Sequence, residues 1–136
     1  MKEEDFYIKP QKSTISEFCI KLTGITDADV KNQPLLPEVL KEFTKKFTPY
    51  SYTWASYGDY DREMFRKQCK IHRLDYPFSK THINVKNLFA LRNELHREMG
   101  MDRALEHLKL ELEGRHHNAM DDVRNICKIL KVSIKK

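Results

Sequence analysis

Apolar positions along this chain change period several times, and each change suggests an element. Phe6-Tyr7-Ile8, closed by Pro10, predicts a short strand. Ser16 is placed to cap a helix over 17–22 that Gly24 stops, and Thr26 or Asp27 to cap a further turn. After Pro37, the residues Val39, Leu40, Phe43 and Phe47 fall on one face of a helix that ends before Pro49. The aromatic, β-favouring run 50–57 predicts a strand broken by Gly58. A helix over 61–74 follows, with Met64, Phe65 and Cys69 inward, then a loop at Pro77 and a short strand over 82–85. Three amphipathic helices close the chain. They are expected over 88–99 before Gly100, from Asp102 to Gly114, and over 118–131 with Val123, Ile126, Cys127 and Leu130 as the core face. Strands alternating with helices favour a layered α/β fold.

Composition narrows the class. The chain has 136 residues, 40% of them hydrophobic and 33% charged, which suits one globular domain. No run of roughly 18 apolar residues is present, so a membrane partner is not expected, and the acidic, polar start does not read as a signal peptide. Cys19, Cys69 and Cys127 are widely spaced without a CxxC pair, which predicts buried or half-buried free thiols in a reducing compartment, cytoplasmic or nuclear. The formal charge of +5 suits a polyanionic partner, although the lysines are spread rather than clustered.

Two stretches can carry chemistry. In Ser56-Tyr57-Gly58-Asp59-Tyr60-Asp61, carboxylates sit just beyond a predicted strand, where α/β sheets bind ligands and where carboxylates can hold Mg²⁺ or Mn²⁺. Asp59 or Asp61 can equally be a helix cap. In the run 114–122, His117 stands at the mouth of the last helix and Asp122 lies five residues on. An imidazole and a carboxylate so placed can share a cleft, one taking a proton from water while the other holds a metal. They can also simply be polar side chains favoured at the positive end of a helix.

The run GRHHNAMDDVRNICKIL resembles the third motif of the DEDDh 3′–5′ exonucleases, in which a His precedes an Asp by five residues. It is especially similar to the branch that trims histone mRNA and small RNAs. YTWASYGDYDREMF resembles the second motif. EFCIKLTGITDADVKNQPLLPEVLKEF resembles the stretch between the first and second motifs, FYIKP the end of the third strand, and MGMDRALEHLKLELEG the helix leading into the last motif. The resemblance implies a ribonuclease H-like mixed sheet flanked by helices, and a single exonuclease-like domain over 1–136 matching the C-terminal two-thirds of the family domain. It implies His117 as general base, Asp61 and Asp122 as metal ligands, and Thr23, Gly24 and Ile25 as a loop at the terminal nucleotide. Asp59, His116 and Asp121 match neighbours of lower rank. The implied cofactors are two Mg²⁺ or Mn²⁺ ions, and the implied partners are 3′ ends of single-stranded RNA or DNA.

One part of the pattern has no match. The family's first motif is Asp-x-Glu on its first strand, and no apolar strand here carries it; Glu3, Glu4 and Asp5 precede no suitable run. The expectation is therefore a sheet lacking the first one or two strands, with an open edge that a strand or subunit partner would complete, and a metal site short of carboxylates. Two functions follow: an exonuclease weak or inactive as this chain alone, or a nucleic-acid-binding remnant or fragment.

Overall fold

A computed structural model describes residues 1–135. Seven α-helices and two strands run in the order α1 (Glu17–Thr23), α2 (Asp27–Val30), α3 (Leu36–Phe47), β1 (Trp54–Ser56), α4 (Tyr60–Ile71), β2 (His82–Asn84), α5 (Val85–Arg92), α6 (Met101–His107) and α7 (Ala119–Ile134). The strands pair in parallel, Trp54 beside His82, Ala55 beside Ile83 and Ser56 beside Asn84. A parallel pair needs a long crossover, and α4 lies in it.

Strand alternation sorts the two faces of this small sheet. Ala55, Tyr57 and Ile83 pack against a core built from Val85 and Phe89 of α5, Met101, Ala104 and Leu105 of α6, and Ile129 of α7. Trp54 points the other way and stacks on Phe78, with ring centroids 4.1 Å apart and planes 15° from parallel. Phe43 of α3 and Phe65 of α4 meet Phe78 edge-on, so aromatic rings fill this second layer. An open groove of about 560 Å³ separates Phe43 and Phe47 of α3 from Val123 and Cys127 of α7, with residues 1–6 along it. Ion pairs from Glu3 to Arg124 and from Glu4 to Lys46 tie down that N-terminal segment.

Several expected elements change length. Residues 6–8 form no strand among the described residues; Lys9 donates only to Pro34 O, and no neighbouring strand stands beside them to build a ladder. The expected strand over 50–57 contracts to β1, because Pro49–Ser51 coil into a 3-10 turn. The helix expected to continue to Met99 stops at Arg92. There Asn93 donates its side-chain amide to Phe89 O, Glu94 turns left-handed at φ 52°, and Leu95 N–H returns to Ala90 O. α6 likewise closes at His107, with Lys109 at φ 55° and Leu110 N–H bonded to Leu105 O. The deepest face of α7 is Asn125, Ile129 and Ser133, whereas Val123, expected in the core, is 52% exposed. All three thiols are free; Cys69 is buried and Cys127 half-buried, but Cys19 is exposed on α1, which contributes no buried residue. Among the described residues no helix is long and apolar enough to cross a membrane.

Tyr57 joins the sheet to the segment before α6 by donating its hydroxyl to Met99 O at 2.8 Å. Desolvation, reinforced by the negative charges of Asp102 and Glu98, pushes its phenol up to about 12. The unfolded chain therefore loses this proton first, near pH 10, so stability falls as pH rises from there towards about 12. Tyr57→Phe should flatten that alkaline slope in urea titrations made at successive pH values. An unchanged slope would show that the phenol does not ionise with unfolding.

Candidate active site

The loop before α7 is stitched back onto that helix by its own side chains. Asn118 caps α7, accepting from Asp121 N–H at 3.2 Å. Asp121 accepts the Arg115 N–H at 2.9 Å with Oδ2 and meets Arg124 at 3.3 Å with Oδ1. Gly114, at φ 66°, makes this possible: a Cβ there would lie 2.2 Å from Asp121 Cγ. One turn further on, the fully buried Asn125 accepts from Glu113 N–H at 2.8 Å and donates to Glu113 O at 2.9 Å. Both negative charges, Asp121 and Asp122, sit in the first turn of α7, where the helix dipole favours them.

Asp122 organises the two histidines differently. Its Oδ1 lies 3.0 Å from His116 Nδ1 and accepts the backbone N–H of His117 at 3.2 Å. The two imidazoles stack at 3.9 Å, and His117 adopts a left-handed φ of 70°. One ligand atom from each of His116, His117 and Asp122 falls within 4.8 Å of the others. Sequence reasoning ranked His116 below His117, yet the ring that Asp122 orients is that of His116, while the exposed ring of His117 is held by stacking.

Asp61 belongs to a second group, at the carboxyl end of β1. Here Ser56 is buried, its Oγ donating to Gly58 O at 2.9 Å and lying 2.7 Å from His82 Nε2. Since the serine proton is used on Gly58, His82 donates from Nε2, and its Nδ1 accepts from Arg62, 3.5 Å away. Desolvation first, then the charge of Arg62, lowers the His82 pKa. Asp59 pairs with Arg62 at 3.2 Å. Asp61 has no hydrogen bond or ion pair among the described residues. Although the residue lies along an exposed side of α4, protein packed around its carboxyl raises that pKa, opposed only by His82. A carboxylate crowded by protein and left without a donor suits a cation, but among the described residues the potential ligand atoms within 4.8 Å of one another are those of His116, His117 and Asp122, a group that does not include Asp61.

The expected nucleotide loop caps α1. Thr23 Oγ1 donates to Cys19 O at 2.8 Å and accepts from Ile25 N–H at 3.2 Å, and Gly24 turns left-handed at φ 77°. The fold brings Gly24 against the guanidinium of Arg115. His82, Ser56 and Asn125 were not singled out by sequence reasoning. Only Asn125 left a signal, as a polar residue inside the apolar stripe of α7.

These features coincide with a family. Residues 1–130 match the family model RNase_T, described as "Exonuclease", and the chain belongs to that family. The likeness is to its DEDDh branch, which depends on divalent metal. The chain is 35% identical over 133 residues to 3′-5′ exoribonuclease 1 of Rattus norvegicus, covering 90% of this chain and 39% of that protein. It is 26% identical over 155 residues to 3′-5′ exonuclease eri1 of Schizosaccharomyces pombe, covering 92% of this chain and 52% of that protein. Among solved structures, it superposes at TM-score 0.84 and 30% identity on the nuclease domain of 3′hExo, a DEDDh family member bound to rAMP, over 92% of this chain and 68% of that one. The fold is thus the ribonuclease H-like α/β fold that the sequence implied. The chain spans about two-fifths of the length of the mammalian relatives.

Two substitutions test this architecture by stability. Asn125→Ala strips both backbone partners from Glu113 and should cost about 2–3 kcal/mol by urea denaturation; a loss below about 0.5 kcal/mol would mean the clamp is dispensable. His117→Ala should be about 1 kcal/mol less stable than His117→Gly, because only glycine relieves the left-handed backbone. Equal stabilities would show that the loop relaxes out of that conformation.

Proposed function

We propose that this chain works at the 3′ ends of RNA as a 3′–5′ exonuclease module, supplying Asp61, Asp122 and the histidine pair to a divalent-metal site that further carboxylates complete. The observation that supports it most is Asp122, whose one oxygen gathers both the His116 ring and the His117 backbone at the start of α7. RNA is favoured over DNA because several relatives are exoribonucleases, and one structural relative is described as showing 3′-end-specific recognition of histone mRNA stem-loop by a 3′-exonuclease.

The roles are those that the family motif carries onto these residues. Asp61 and Asp122 would hold Mg²⁺ or Mn²⁺, which when bound stabilises charge on the attacking and leaving oxygens. His117 presents an exposed ring that can take the proton of an attacking water, leaving a nucleoside 5′-monophosphate. His116, anchored to Asp122, stacks on that ring and limits its rotation. Thr23, Gly24 and Ile25 form the loop that meets the terminal nucleotide. The chain's own carboxylates are few for a two-ion site, since Asp121 and Asp59 are already paired with arginines. A further strand beside the two-stranded sheet would bring the missing acids, and without it hydrolysis is weak.

Incubating the purified chain with 5′-labelled single-stranded RNA and Mn²⁺ tests both halves of this reading. Binding with little shortening is expected, and any residual 3′ ladder should fall about 100-fold or more in His117→Ala. A strong ladder abolished by His117→Ala would keep the exonuclease assignment and refute the shortage of acids. Absence of both binding and cleavage would sink the reading.

A further inference from the structure

Arg115 has no acid partner among the described residues, unlike Arg124, Arg62 and Arg66. Arg124 is held by Glu3 and Asp121, Arg62 by Asp59 and Glu63, and Arg66 by Glu63. The carboxylate that bonds the Arg115 backbone, Asp121, spends its oxygens on that N–H and on Arg124, and Glu113, two residues before Arg115, faces Arg124 and Lys128. The guanidinium of Arg115 makes no hydrogen bond and no ion pair among the described residues, and the residue is exposed.

That guanidinium is nevertheless well placed. The root of the side chain is fixed, because Arg115 N–H bonds Asp121 and its carbonyl accepts from Asn118 N–H at 3.1 Å. The head rests on Gly24, where a Cβ would stand 3.0 Å from Nη1 and 3.8 Å from Cζ. Glycine at this position therefore does two things: it permits the left-handed cap of α1, and it leaves room for the cation. A guanidinium anchored at the root of its side chain loses less freedom on binding than one on a free loop. Its planar fork matches the oxygens of a phosphate, and His116 and His117, which group with Asp122, follow directly in the chain.

From this juxtaposition we infer that Arg115, seated on Gly24, is a phosphate-binding residue that positions the RNA backbone beside the histidine pair. The inference rests on the RNA-end reading above and assigns it a specific contact. Arg115 binds and orients the strand; it takes no part in proton transfer.

The test is equilibrium binding of a 5′-fluorescein oligouridylate with a free 3′ hydroxyl, followed by anisotropy in EDTA over a series of KCl concentrations. Arg115→Ala should bind about tenfold more weakly, the scale of one lost charge-assisted contact. Its log–log salt slope should be shallower by about 0.7, the contribution of one phosphate on a single strand. Arg115→Lys should recover the slope but only part of the affinity, since it keeps the charge and loses the fork. Gly24→Ala should displace the guanidinium and reproduce the Arg115→Ala loss, and the double variant should be no weaker than either one. Arg92→Ala, at the far end of α7 where Arg92 donates to Lys135 O, controls for net charge and should leave the slope unchanged. If the unaltered chain binds and Arg115→Ala matches it in affinity and slope, the inference falls while the RNA-end reading stands. If Arg92→Ala weakens binding as much as Arg115→Ala, the effect is general charge and the inference falls. If the unaltered chain does not bind, both fall together.

Discussion

Three side chains of α7, those of Asp121, Asp122 and Asn125, reach back and bond the backbone of residues 113–117. Between them they satisfy the N–H groups of Glu113, Arg115 and His117 and the carbonyl of Glu113. Without these bonds the loop would be an irregular, glycine-containing connection with polar groups turned to solvent. With them, its path is set by a helix whose own position is set by Ile129, buried in the core between α5 and α6. The candidate site thus inherits its rigidity from the core through three polar side chains rather than through apolar packing of the loop itself.

The same arrangement distributes charge. Asp121 is consumed structurally, so it cannot also serve a metal, while Asp122 is left open on the side its two histidines do not occupy. In the second motif, Asp59 is paired with Arg62 and Asp61 is not. Each motif therefore has one acid spent on the fold and one still available. Cations divide in the same way: Arg124 and Arg62 are paired, whereas Arg115 is free and rests on glycine. Asp61 and Arg115, which have no such partner, and Asp122, which is bonded to histidine rather than to arginine, carry the proposed chemistry.

Much of the local structure could be read from the chain. Ser16 caps α1 and Gly24 ends it, Pro37 lies in the first turn of α3, and Asn118 opens α7, each for a reason confined to a few neighbouring residues. Element lengths were less legible. The run 50–57 has strand-forming residues but only three of them find a ladder partner, and residues 6–8 find none. Strand formation is a property of pairs, and period alone does not say where the second strand ends.

The amino-acid sequence by itself determined the α/β class, most helix starts, the motif spacing that sets His117 just before α7 and Asp122 in its first turn, and the family those motifs resemble. Short-range geometry suffices for these, because a helix relates residues a few positions apart in only one way. Tertiary structure alone decided that Asp122 holds the ring of His116, that His82 stands beside Ser56, and that Arg115 lies on Gly24. These pairs are remote in the chain or depend on a left-handed turn, so their distances follow from how α1, β2 and α7 pack, which no local pattern encodes.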